Sequence, residues 1–86
     1  MRTILIFGPA GCGKTYNAER LRQHFGCTGV IDPWRNEFLY SYLHLTNAPP
    51  QHFPLVRDVE YISFADAMKE IENADRNLPN HSPDEH

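Results

Sequence analysis

Thr3-Ile4-Leu5-Ile6-Phe7 runs directly into Gly8-Pro9-Ala10-Gly11-Cys12-Gly13-Lys14-Thr15. The first five residues are apolar or β-branched on both parities. That pattern predicts a strand buried on both faces, the habit of a parallel sheet. The next eight fit G-x-x-x-x-G-K-[ST], a phosphate-binding loop. Its glycines permit backbone angles that a Cβ forbids. Successive N–H groups from Gly11 to Thr15 can then turn inward as an anion cradle, and the helix opening there adds its positive end. Lys14 supplies a full charge to the β and γ phosphates, and the Thr15 hydroxyl is placed to ligate Mg²⁺. With four fixed positions and average composition, a chance match in a chain of 86 residues arises on the order of a few times in a thousand.

Downstream, Ala18, Leu21 and Phe25 recur at helical spacing. A helix is expected over 14–25, stopped by Gly26. Gly29-Val30-Ile31-Asp32 reads as a second strand, ended by Pro33, which cannot donate to a ladder. Residues 34–40 suggest a helical turn or two, and 41–46 alternate as a third strand. Asn47 to Pro54 holds three prolines and must be a loop. A fourth strand is expected over 59–62. Ser63 and Asp66 form a capping box. Phe64, Ala67, Met68 and Ile71 then give the stripe of an amphipathic helix fading near 73–75. The domain should span 1–75, with 76–86 a mobile polar tail.

Composition narrows the classes. Of the residues, 41% are hydrophobic and 22% charged, which suits a globule and not a disordered chain. The net charge is −3 and the basic residues are scattered, a poor footprint for unaided nucleic-acid binding. Two cysteines, Cys12 and Cys27, fall short of a secreted disulfide scaffold. They read as reduced thiols in a cytoplasmic protein. Arg2 followed by TILIF imitates the start of a signal peptide, but the apolar run is five residues, shorter than an h-region. No stretch is long enough for a membrane span. His44, His52, His81 and His86 lack zinc spacing with the cysteines. Tyr16, Trp34, Tyr40 and Tyr42 could stack bases, although packing is the commoner fate of aromatic residues in such patterns.

Three motifs carry a resemblance: Phe7 to Thr15 (FGPAGCGKT), Val30-Ile31-Asp32-Pro33-Trp34, and Leu43-His44-Leu45-Thr46-Asn47. The chain resembles the P-loop NTPases, and more narrowly the very small ATPase-like P-loop proteins of bacteriophages and prophages. The resemblance implies a reduced three-layer α/β domain. Its mostly parallel sheet would have about four strands, the first one central and helices on its faces. One antiparallel pair is open, because the link between strands two and three is short for a parallel crossover.

It also implies a nucleotide site of Gly8, Gly11, Cys12, Gly13, Lys14, Thr15 and Tyr16, taking ATP or another NTP with Mg²⁺ on Thr15 and Asp32. Asp32 resembles the acid that ends a Walker B strand, Asn47 the polar sensor residue of AAA+ ATPases, and Arg57 an arginine found before the next strand. The plainer readings stay open: Asp32 as a strand-end turn residue, Asn47 as the start of a proline-rich turn, Arg57 as a solvated loop charge. Pro33 stands where a water-activating acid would follow the Walker B residue, with Glu37 the nearest acid, and no lid with several arginines is visible. The expected function is therefore Mg-ATP binding with slow or partner-dependent hydrolysis. The alternatives are a non-catalytic interaction module that keeps the loop as an anion site, and a small-molecule kinase. A second copy of the chain or a larger protein would complete the site, with Arg35 and Arg57 as the arginines to donate.

Overall fold

The computed structural model describes residues 2–54 and 56–76. It is a small α/β protein with a four-stranded sheet and two helices. The strands are β1 (Thr3–Phe7), β2 (Gly29–Ile31), β3 (Tyr42–Thr46) and β4 (Val59–Ser63); the helices are α1 (Ala18–Phe25) and α2 (Phe64–Arg76). The order across the sheet is β2-β3-β1-β4, and every pair is parallel. β1 is therefore interior, as its two-sided apolar pattern requires. The open question of an antiparallel pair is settled against it: residues 32–41 suffice to return the chain for a parallel β3. α2 runs to Arg76, the first residue assigned to the expected tail; the rest of that segment, 77–86, lies outside the described residues.

One face of the sheet carries Ile4 and Ile6 of β1 beside Leu43 and Leu45 of β3. Leu21 and Phe25 of α1 and Ala67 and Ile71 of α2 close over them as a single buried core. Burying each of the leucine, isoleucine and phenylalanine side chains contributes roughly 1.5–3 kcal/mol. Phe64 and Met68 pack at its margin, so the stripe read in α2 faces inward. Only half of the capping box forms: the Asp66 N–H donates to Ser63 Oγ at 3.1 Å.

Both helices thus sit on the same face, which corrects the expectation of helices on both. Chirality decides which face each crossover takes, α2 lying beyond the last of them. Parallel crossovers are right-handed. The step from β1 to β2 runs one way across the sheet and puts α1 on the first face. The steps from β2 to β3 and from β3 to β4 run the other way, so their connections pass over the second face. Neither connection supplies a layer of α-helix. Residues 33–41 are not helical, against the helical turn expected there, because Asn36 adopts a left-handed φ of 66° that interrupts any such turn. The second connection contributes one 3₁₀ turn, Pro50–His52. Aromatic rings do the covering. His44, Leu5 and Tyr61 form one row across β3, β1 and β4. Over that row lies a chain of ring contacts: Phe38 against His44, Tyr61 and Trp34, and Phe53 against Phe7, Trp34 and Tyr61, with centroids 5.0–6.2 Å apart.

Candidate functional site: the loop between β1 and α1

All four strands end at the same edge, and the glycine loop rises from β1 there. Gly11 and Gly13 hold φ of 81° and 104°, values that L side chains rarely adopt. The loop passes close to α2: a Cβ at Gly8 would meet Cys12 Sγ and Phe64 Cβ, both at 3.2 Å. The α-helix starts later than the sequence pattern suggests. Residues 14–17 form tight turns, with Asn17 N–H shared between the carbonyls of Gly13 and Lys14 at 3.0 and 3.2 Å and Ala18 N–H on that of Thr15 at 3.2 Å. Asn17 Nδ2 also donates to Gly13 O at 2.9 Å. Thr15, Tyr16 and Asn17 are all modest helix formers, so the loop geometry prevails. Among the described residues, no backbone carbonyl accepts from the N–H groups of Gly11, Gly13, Lys14, Thr15 or Tyr16. Five consecutive or near-consecutive donors are thus free of backbone partners beside a lysine.

Lys14 is only 6% exposed. Its ammonium donates to Gly8 O at 2.8 Å, Pro9 O at 3.0 Å and Asn47 Oδ1 at 2.6 Å, and Cys12 Sγ lies 3.6 Å away. Asn47 comes from the residue just past β3, whose neighbour is β1, which is how residues 33 positions apart meet. Beyond β3 stands β2. Its last residue is followed by Asp32, and Thr15 Oγ1 donates to Asp32 Oδ2 at 2.6 Å. A cavity of about 320 Å³ is lined by Gly11, Gly13, Lys14, Thr15, Asp32 and Asn47, with Tyr16 and Ala10 at its rim. Asp32 is the one carboxylate among the described residues that line it.

Asp32 and Asn47 therefore join the loop, and Arg57 does not. Arg57 precedes β4 and sits at the edge where the strands begin, by a cavity of about 790 Å³ shared with Arg2 and Glu60. The length of a five-residue strand, about 16 Å at roughly 3.3 Å per residue, separates it from the loop. Arg57 is thus not brought to the loop of its own chain. Arg35 is exposed and is absent from the described lining. Glu37 is exposed too; its carbonyl accepts from Trp34 Nε1 at 3.0 Å. No group of three His, Cys, Asp or Glu side chains suited to a metal occurs among the described residues. A hydroxyl and one carboxylate fit Mg²⁺, which keeps several waters and shares its shell with phosphates. They do not make a self-sufficient metal cage.

Two features escaped the sequence. The first is an apolar cavity of about 560 Å³ on the other side of the loop, between Gly8, Pro9 and Cys12, the turn from Asn47 to Pro50, and Ser63 to Ala65. Three separate segments build it, so no local pattern announces it. The second is His44, fully buried at the middle of β3. Its Nε2 accepts from Leu39 N–H at 3.0 Å. That fixes the proton on Nδ1, which donates to Ile4 O at 3.1 Å. Burial pushes its pKa below the ordinary histidine value, against an opposing backbone hydrogen bond.

No protein-family model, curated protein or solved structure matches this chain.

Proposed function

We propose that the chain binds a nucleoside triphosphate, ATP first, together with Mg²⁺, and hydrolyses it slowly or only with a partner. One observation carries this reading: a run of backbone N–H groups without backbone acceptors, a buried lysine and a hydroxyl–carboxylate pair converge on one small cavity. Each fits a part of the ligand. The N–H groups of Gly11 and of Gly13 to Tyr16 would hold phosphate oxygens. Lys14 would exchange a carbonyl for the β and γ phosphates. Thr15 and Asp32 would hold the magnesium, which when bound neutralises charge on the phosphates that separate. Asn47, already on the Lys14 ammonium, would fix the lysine at the terminal phosphate. The loop's place between the first strand and first helix of an all-parallel sheet supports reading the domain as a reduced P-loop fold, with aromatic segments where a second helical layer would stand.

Slow turnover follows from what the cavity lacks. Pro33 occupies the position after Asp32, and neither a second carboxylate nor an arginine lines the cavity among the described residues. Phosphoryl transfer depends on positioning and charge stabilisation, and an arginine from a neighbour is worth about 10³–10⁵ in rate. A second copy or a larger protein would supply it. The same deficits favour, as a second reading, a non-catalytic site that binds the nucleotide without cleaving it. The absence of lining arginines weighs against a small-molecule kinase. The test is calorimetric titration of ATP, GTP and ADP with Mg²⁺, with phosphate release followed in the same samples. Saturable binding with slow but measurable release, or release that rises with protein concentration, supports the first reading; saturable binding with none supports the second; no binding of any nucleotide rejects both.

A further inference from the structure

We infer that Tyr16 seats the nucleobase, by stacking and not by hydrogen bonds to the base edges. The inference rests on the nucleotide-binding reading above and deepens it, naming how the site holds the end of its ligand that lies away from the phosphates. Four aromatic residues are candidates on sequence. Trp34 is committed to Phe38 and Phe53, at 5.0 and 5.7 Å. The Tyr42 ring packs across Gly29. Tyr40 lies with Arg57 at the far edge of the sheet. Tyr16 alone lines the loop cavity, and it is 92% exposed. The expectation that it packs is overturned: both faces of the ring stand free of the protein, one residue from Thr15.

The ligand's direction follows from the lysine. Lys14 reaches the β and γ phosphates, and its ammonium sits among Gly8 O, Pro9 O and Asn47 Oδ1. Those groups mark the terminal-phosphate end. The apolar cavity is walled by the same Gly8, Pro9 and Asn47, so it abuts the γ phosphate and is the wrong end for the base. The triphosphate must leave the loop in the opposite sense, past Thr15 and the Tyr16 N–H. There the base meets an exposed aromatic face and no described polar side chain arranged to read its edges. Every base has such a face, so this mode accepts any base and favours purines over pyrimidines by area. Base–aromatic stacking is worth about 1–3 kcal/mol on alanine substitution.

The experiment compares Mg-ATP with Mg-tripolyphosphate, which has the phosphates and no base, on wild type, Tyr16→Ala, Tyr16→Trp and Ala48→Trp. Tyr16 is exposed, so its variants should fold, and circular dichroism verifies that they do. Tyr16→Ala should weaken Mg-ATP by about 5- to 150-fold, the equivalent of that stacking range, and leave Mg-tripolyphosphate within about twofold. Tyr16→Trp should restore ATP binding and report it by quenched indole fluorescence. Ala48→Trp, which fills the apolar cavity, should leave the ATP to tripolyphosphate ratio unchanged. Equal effects of Tyr16→Ala on the two ligands, or none on ATP, overturn the inference while leaving the phosphate site standing. Selective loss of ATP in Ala48→Trp overturns it too, and puts the base in the apolar cavity. If tripolyphosphate and ATP both fail to bind wild type, the phosphate-loop reading falls and the stacking inference with it.

Discussion

Replacing Lys14 by alanine should weaken Mg-ATP by roughly tenfold, and the structure says why the loss sits near the low end of its range. A charge-assisted hydrogen bond contributes roughly 1.5–3 kcal/mol. At 1.4 kcal/mol per decade that is about ten- to a hundredfold in affinity. An ammonium has three donors, and in the folded loop all three already have oxygen acceptors, on Gly8, Pro9 and Asn47. A phosphate therefore gains its contact by displacing at least one of them, and the net gain is the difference between a phosphate and a carbonyl as acceptor. The assay is isothermal titration of wild type and Lys14→Ala with Mg-ATP, alongside urea denaturation of both. The second measurement matters because the lysine stem is buried, and its removal takes a donor from Asn47 Oδ1, Gly8 O and Pro9 O, the last of which keeps the Cys12 N–H at 3.3 Å. Unchanged ATP affinity in a folded variant would refute the reasoning, because no phosphate would then be touching the lysine.

Other outcomes follow from the same geometry. Asp32→Asn should cost about 2 kcal/mol with Mg²⁺ present, since unit charges about 4 Å apart in water interact by about 1 kcal/mol and the ion carries two; titrations with and without the metal check it, and an equal loss in both returns Asp32 to a turn residue. Stability should fall as pH drops below about 6.5, because buried His44 has its pKa pushed down: the unfolded chain then binds the proton more readily, so stability is intact above the unfolded value and is lost on descending through the folded one. Urea midpoints at pH 7.5 and 5.5 measure this, and His44→Gln should flatten the difference. Turnover by the isolated chain should stay well below about 1 s⁻¹ and rise with protein concentration if a second copy lends an arginine; a phosphate-release assay beside light scattering decides, and brisk hydrolysis by a monodisperse monomer refutes the need for a partner.

How much of this was legible in the sequence depended on whether the signal was local. The TILIF run and the glycine loop fix a buried parallel strand and its turn within fifteen residues, and both stand where expected. The stripe of α2 reads correctly because its period is contained in one helix. Thr15 and Asp32 come together at one metal only through the resemblance, and the contact of Lys14 with Asn47 has no signal in the sequence, since both depend on strand order, and strand order is a property of the whole sheet. Arg57 shows the cost. Its nearness to a strand is plain from the sequence, but which end of that strand faces the loop depends on β4 running parallel to β1. In a parallel sheet the residue before a strand is always at the edge away from the loop that follows β1. Trp34 to Tyr40 misled for another reason: the apolar spacing of Trp34 and Phe38 is real, but it reflects two rings stacked across a left-handed Asn36 and not a helix.

The aromatic face and the candidate site are one construction. Asp32 must stand opposite Thr15, yet it lies beyond the end of a three-residue edge strand, with only β3 beside it. What fixes the chain just after Asp32 is Trp34. Its N–H donates to Leu45 O at 2.7 Å, and its ring is held between Phe38 and Phe53. Phe38 in turn leans on His44, whose Nε2 takes the Leu39 N–H and whose Nδ1 bonds the central strand. A route of hydrogen bonds and ring contacts therefore leads from the middle of β1 to the residue that would carry the metal. Ring pairs of this kind, half-buried here, add about 0.5–1.5 kcal/mol per pair beyond their area, and they stand where a second helical layer is missing. Chirality sent those connections to the second face. Covering it with rings lets a chain of this length hold a carboxylate beside the loop without a second helical layer.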